Sequence, residues 1–178
     1  MKVNAMKTVV AGAIAMALVS FGANAANQGQ GVVNFKGSVI NAPCGIDPDS
    51  ANQTVDFGQI SKSHLNSNGI SQKKNVDIKL VNCDFSDPAF VNKGVQVTFS
   101  GTTAGTDDQL GLSNTNAVIK MTGQDGSFVK FDGTTPSNVG KLTTGNNTLH
   151  YQAWVQKGAA AVTEGEFTAV ANFAMSYN

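Results

Sequence analysis

The stretch running up to Asn178 places the strongest constraint on what this chain can fold into. Phe167, Ala169, Ala171, Phe173, Met175 and Tyr177 alternate there with Thr168, Val170, Asn172, Ala174 and Ser176. Successive side chains of a strand point to opposite faces, so this period of two predicts one strand over 166–177 with its odd-numbered, wholly apolar set turned to a core. A helix would scatter the same residues around its girth. The even-numbered set is only partly polar, because it holds Val170 and Ala174. The chain stops one residue after Tyr177, which leaves the outer edge of this strand with nothing in the following sequence to pair with. An unpaired apolar edge is a template for another strand.

The remainder of the chain reads as β-structure. Val32 to Ile40, Val76 to Val81, Val95 to Phe99, Ala117 to Met121, Ser127 to Phe131 and Thr148 to Val155 are rich in Val, Ile, Phe, Tyr or Thr, the residues that suit a pleated, half-buried surface. Asn68-Gly69, Asp125-Gly126, Asp132-Gly133 and Gly145-Asn146 supply turn chemistry between them, since Gly and Asn accept positive φ at low cost. No long segment shows helical spacing and no repeat is evident. Seven or so short strands imply an all-β antiparallel sandwich. An immunoglobulin-like sandwich adds one more strand beside the last one found here, so the domain reads as one strand short.

The N-terminal 25 residues have the build of a secretory signal. Lys2 and Lys7 open it, Thr8 to Phe21 form its apolar stretch, and Ala23-Asn24-Ala25 is a small-x-small cleavage site. The apolar run is shorter than the roughly 20 residues that cross a bilayer, and Gly12 and Ser20 dilute it. Cleavage before Ala26 leaves 178 − 25 = 153 residues, with 12 − 2 = 10 Lys against 12 acids, a formal charge of −2. No other segment is apolar and long enough to anchor in a membrane. Export places Cys44 and Cys83 in an oxidising space, where a lone pair favours a structural disulfide over a metal site or a catalytic thiol.

The expected mature N-terminus complements the C-terminal strand. Ala26-Asn27-Gln28-Gly29-Gln30-Gly31 is too small and polar to anchor itself, and it leads into Val33, Phe35, Gly37 and Val39 on one face of an alternating segment. Val32, Asn34, Lys36, Ser38 and Ile40 take the other face. A flexible lead and an amphipathic strand, in a domain one strand short, point to β-strand addition from another molecule.

Composition removes several other classes. The chain has 12 Lys, no Arg and 12 acids, so it lacks both the basic stripe and the bidentate donor that nucleic-acid binding relies on. His64 and His150 are the only histidines and there is no Gly-x-Ser-x-Gly elbow, so no hydrolase constellation forms and no enzyme is expected. Asp107-Asp108 and Asp47-x-Asp49 lack the Gly and distal Glu of a calcium loop and read as solvated turns. No metal or cofactor is assigned. Asn52-Gln53-Thr54 and Asn146-Asn147-Thr148 match a glycosylation tripeptide short enough to arise by chance. Trp154 and the ten Phe read as core residues.

Along essentially the whole expected mature length the chain resembles the rod-forming subunits of chaperone-usher fimbriae, the P-pilus type in particular. The residues that carry the likeness are Gln28-Gly29-Gln30-Gly31, Phe35-Lys36-Gly37, Asn41-Ala42-Pro43-Cys44, Val55-Asp56-Phe57-Gly58-Gln59, Leu80-Val81-Asn82-Cys83, Leu149-His150-Tyr151 and Val162 to Phe173. Gly165 as the fourteenth residue from the end and Tyr177 as the penultimate one fit the family's C-terminal signature.

The resemblance implies an incomplete immunoglobulin-like β-sandwich lacking its last strand, whose groove is filled by a periplasmic chaperone and then by the next subunit's N-terminal extension. It implies a signal peptide at 1–25, a donor-strand extension at 26–40 and a pilin domain at 41–178. Val33, Phe35, Gly37 and Val39 correspond to the donor strand, with Gly37 entering a pocket where a side chain would clash. Gly165, Phe167, Ala169, Ala171, Phe173, Met175 and Tyr177 correspond to the groove edge and chaperone-binding strand, and Cys44 and Cys83 to the family's disulfide. Expected partners are further copies of the chain, the chaperone, an outer-membrane usher and minor fimbrial subunits, with the product exported through the periplasm to a surface fimbrium. A minor or adaptor subunit is the alternative, and a free secreted immunoglobulin-like binding module a more remote one. Burying Val33, Phe35 and Val39 in a neighbour would contribute roughly 5–9 kcal/mol, against an ordering cost of about 1–2 kcal/mol per arm residue.

Overall fold

The computed structural model describes residues 31–91 and 93–178. The expected signal segment, with Gln28-Gly29-Gln30, lies outside the described residues. The chain divides into two units between Ser38 and Val39. Of the first, residues 31–38 are described, and they carry no regular secondary structure.

Among the described residues of the second unit, nine strands and two short helices follow one another. They are β1 (Gly45–Ile46), α1 (Pro48–Ala51), α2 (Lys62–Asn66), β2 (Lys74–Cys83), β3 (Val95–Gly101), β4 (Thr103–Ala104), β5 (Thr106–Gly111), β6 (Ala117–Thr122), β7 (Asp132–Asn138), β8 (Gly145–Lys157) and β9 (Ala171–Tyr177). They form a six-stranded sheet in the order β1-β2-β8-β6-β5-β4 and a three-stranded sheet in the order β7-β3-β9. Every ladder is antiparallel.

Alternation builds the core. In β2, Ile78 and Leu80 are buried while Asn75 and Lys79 are exposed; in β8, Leu149, Tyr151, Ala153 and Val155 are buried while Thr148, His150 and Gln152 are exposed. Of these, Ile78, Leu80, Leu149, Tyr151 and Ala153 meet Val97 and Phe99 of β3, and Met121, Val129, Phe131 and Val139 belong to the same main cluster. A second cluster joins Leu65 of α2 to Ala117, Val155 and Val162. Cys44 and Cys83, both buried, form a disulfide that ties the entry of β1 to the end of β2.

Three predicted strands come out differently. Val32 to Ile40 has the pattern of a strand but no ladder partner among the described residues, and a strand without a ladder gains no hydrogen bonds to offset its ordering entropy. Ser127 to Phe131 forms only an isolated bridge, Phe128 to Thr122. Its amides serve different neighbours in turn, Val129 N donating to Met121 O at 2.9 Å and Phe131 N to Asp107 O at 2.7 Å, so the segment crosses between strands instead of lining up with one. The predicted strand 166–177 enters a ladder only at Ala171. Upstream, Ser113 captures Thr168 at both ends: Ser113 N donates to Thr168 O at 3.0 Å, and Thr168 N donates to Ser113 Oγ at 2.8 Å.

Candidate assembly groove

β9 lies at the margin of its sheet and pairs with β3 alone among the described residues. The register sets Val95 opposite Tyr177, Val97 opposite Met175, Phe99 opposite Phe173 and Gly101 opposite Ala171. Gly94 and Asn178 extend the ladder through Gly94 N to Asn178 O at 2.7 Å and Asn178 N to Gly94 O at 3.0 Å. The side of β9 away from β3 therefore presents backbone donors and acceptors without a ladder partner among the described residues.

The odd-numbered side chains do face the core, but they do not finish it. Val97 and Phe99 are 0% and 3% exposed, whereas Phe173 and Met175, next to them on β9, are half-buried. Ala169, Phe173 and Met175 pack on the main cluster from one side, and half-buried Ile46 and Phe57 pack on it as well. Phe57 also touches the second cluster, as does Phe167. The result is an apolar floor, open along β9. Ala171 departs from the expected pattern and is exposed.

Glycine shapes the upstream end. Gly101 has no side chain where β9 begins, and a Cβ there would run into the Leu110 side chain and come within 2.9 Å of Val170 O. Gly165 has φ +152°, a conformation that favours glycine, and sits near Asn114. Lys62 Nζ meets Glu164 Oε1 at 2.9 Å beside it. At the downstream end the Tyr177 ring lies edge-on to Phe90, with centroids 6.1 Å apart. Burial pushes the Tyr177 hydroxyl above its ordinary range.

The predicted donor residues are open to solvent. Val33 is 74% and Phe35 91% exposed, and Val39, the first residue of the second unit, is fully exposed. A Cβ added at Gly37 would meet nothing within 4 Å. Large apolar residues left in water over so short a stretch mark an interaction segment.

The remaining sequence candidates have ordinary structural explanations. Asp47 caps α1, its Oδ1 accepting from Asp49 N at 3.0 Å. Asp108 sits on β5 and pairs with Lys120 at 2.7 Å. His64 lies in α2, with Nε2 3.0 Å from Ile70 O. His150 pairs across the ladder with Asp77 at 2.8 Å, beside an open polar cleft of about 300 Å³ whose lining holds no Ser, Thr, Cys or Lys. Among the described residues no three His, Cys, Asp or Glu side chains gather to hold a metal. Trp154 is buried under Phe128 and Lys73. Sequence reasoning missed Ile46 and Phe57 as half-buried residues packed on the main cluster; nothing in their local sequence ties them to it.

Residues 33–178 match the family model described as fimbrial protein. The chain is 49% identical to KS71A fimbrillin of Escherichia coli, over 97% of this chain and 99% of that one. It is 45% identical to the Pap fimbrial major pilin protein of Escherichia coli, again over 97% and 99%. Among solved structures it superposes on a subunit of a chaperone-usher pilus studied for rod uncoiling, with a TM-score of 0.77 and 42% identity over 85% of this chain and 97% of that one. The half-open sandwich is thus the incomplete immunoglobulin-like fold of pilus subunits, and the chain belongs to the fimbrial protein family.

Proposed function

We propose that this chain is the major shaft subunit of a bacterial surface fimbria and polymerises by donor-strand exchange. One observation carries the reading: a single chain has both a half-buried apolar groove along β9 and an exposed arm whose Val33, Phe35, Gly37 and Val39 repeat at the same period of two. A strand laid along β9 would pair the free backbone edge and cover Phe173 and Met175 together, which is β-strand addition.

In this reading residues 1–25 are a signal removed on export, 26–40 the donor extension and 41–178 the pilin domain. A periplasmic chaperone first lends the groove a strand, an outer-membrane usher presents the subunit for exchange, and other copies and minor subunits complete the fibre. Family membership makes the chain a structural protein and not an enzyme. Because each donor becomes part of a neighbour's core, releasing it resembles partial unfolding, and the fibre is held by a kinetic barrier.

The test is to delete Ala26 to Val39 and mix the product with a synthetic peptide of residues 28–40. Uptake of the peptide, read as a mass shift on size exclusion and a raised melting temperature, is expected. An armless subunit that ignores the peptide overturns the reading. Electron microscopy of a deletion strain then separates shaft from minor subunit: loss of all rods marks the shaft, and bare-tipped rods mark a minor component.

A further inference from the structure

The outer face of the six-stranded sheet has a gap where β6 ends before β8 does. Thr122 opposite Gln152 is the last pair of the β6–β8 ladder. There the chain turns back on itself, Gly123 N donating to Ser127 O and Gly126 N to Gly123 O, each at 3.0 Å. The rest of β8, through Tyr151 and His150, stays paired with β2. The space left beside it is an open cleft of about 300 Å³, walled by Asn75, Asp77, Gln124, His150 and Gln152 with Gly123 at its margin. Two cross-strand pairs set its chemistry. Gln152 Nε2 donates to Asn75 Oδ1 at 3.3 Å, which leaves Asn75 Nδ2 as a donor and Gln152 Oε1 as an acceptor for a ligand. Asp77 is joined to His150 at 2.8 Å, so the one carboxylate of the lining is already engaged. Gln124, exposed on the turn, contributes a further amide. A cleft of this kind, without lysine, offers little to an anion and is too polar for a hydrocarbon.

The shoulder of the cleft is aromatic. Phe128 bridges to Thr122 and packs on Trp154, the next outward residue of β8 after Gln152, with ring centroids 6.1 Å apart. Trp154 is buried, but Phe128 is 54% exposed. An aromatic surface left in water beside free amides suits a ligand with a flat face of C–H groups and a rim of hydroxyls that both donate and accept. A hexopyranose is built that way. We propose that this cleft binds one neutral hexopyranose unit of a glycan, its hydroxyls on Asn75, Gln124 and Gln152 and its ring face on Phe128. The inward residues of β2 and β8 pack toward β3, so the cleft faces away from β9 and a strand laid in the groove does not cover it. A few neutral hydrogen bonds in an open cleft make a weak single site. A fibre repeats the site at every subunit, and linked sites gain avidity without new contacts. That gain, unlike the site itself, rests on the donor-strand reading above.

The test is an NMR titration of isotope-labelled chain starting at Ala26 with the methyl glycosides of galactose, glucose, mannose, N-acetylglucosamine and N-acetylgalactosamine, each added separately, and with glycerol as a plain polyol. At least one glycoside is expected to shift the amides of Gly123, Gln124 and Gln152 to saturation, while glycerol gives only a shallow linear drift. Gln124→Ala removes an exposed amide and Phe128→Leu keeps an apolar side chain without the ring; each should weaken that glycoside at least tenfold. No saturable shift with any glycoside, the same response to glycerol, or unaltered binding in both variants overturns the site. Chain grown into fibres should then hold an albumin conjugate carrying many copies of that sugar about a hundredfold tighter than the monomer does, and equal affinity overturns the gain from repetition. A chain that binds the glycoside but never forms fibres upholds the cleft and overturns the donor-strand reading alone.

Discussion

Phe99 and Phe173 face each other across the β3–β9 ladder with ring centroids 6.3 Å apart, yet only Phe99 is fully buried. Phe99 also meets Tyr151 edge-on at 5.0 Å from the opposite sheet, whereas Phe173 has a half-open side. The pair separates stability from assembly. Phe99→Ala should destabilise the subunit by about 3–5 kcal/mol, the cost of a large core cavity. Phe173→Ala should cost the isolated subunit clearly less and instead weaken uptake of the 28–40 peptide. Urea melts of each variant with and without peptide check this; equal losses in the absence of peptide would show that the groove floor is already closed.

The disulfide should matter to folding more than to the groove. Cys44 and Cys83 close a loop with a sequence separation of 39, for which the chain-entropy model gives roughly 4 kcal/mol of stabilisation, an upper figure. The double Cys→Ser variant should lower the urea midpoint accordingly. Since β1 pairs with β2 through only Gly45–Val81 and Ile46–Leu80, hydrogen exchange should rise first in β1. If β1 exchanges no faster than the β2–β8 ladder, the crosslink is not what holds β1.

Where apolar alternation and burial coincide, the sequence reads through to the structure: β2, β3, β6 and β8 each fall on a predicted strand. β5 escaped because Asp107 and Asp108 are poor strand formers; the strand is held by its pairing with β6 at Leu110 and Gly111 and by the Asp108–Lys120 contact. β7 escaped because Asp132-Gly133 and Pro136 read as turn chemistry; an edge strand tolerates Pro, and β7 is one. The groove was legible from β9 and the arm, which carry their periodicity locally. The packing of Ile46 and Phe57 on the main cluster was not, because nothing local to either tells which distant strands it meets.

Two carboxylates should shape the acid limb of the stability curve. Thr135 Oγ1 at 2.6 Å, with Thr135 N at 2.7 Å and Thr134 N at 2.8 Å, donates to Asp132 and holds its carboxyl far below the usual range. Lys120, then Thr106, lowers Asp108. A depressed folded pKa means that the stabilisation is fully present above the ordinary value of about 3.9 and is lost as pH falls through the folded value. Asp132→Asn should therefore be less stable than the parent at pH 7, with the difference shrinking once pH drops below the carboxylate range. A difference that stays constant into strong acid would mean that the charge of Asp132 contributes nothing.

Gly37 gives the sharpest separation between the subunit and its fibre. In the single chain a Cβ at this position meets nothing within 4 Å, so Gly37→Asn should leave the melting temperature of a peptide-filled subunit unchanged. Once the arm lies in a groove, position 37 shares the inward face with Val33, Phe35 and Val39, and Asn there brings a polar branched side chain against an apolar floor. Burying an amide without a partner costs about 1–3 kcal/mol, and overpacking adds about 1–3 kcal/mol more. Fibre growth should accordingly fall by at least tenfold while a periplasmic chaperone complex, which uses the groove and not the arm, forms normally. Heat-resistant multimers on gels score growth, and co-purification scores the complex. Normal fibres from Gly37→Asn would mean that position 37 does not face the groove and that the arm binds in a different register.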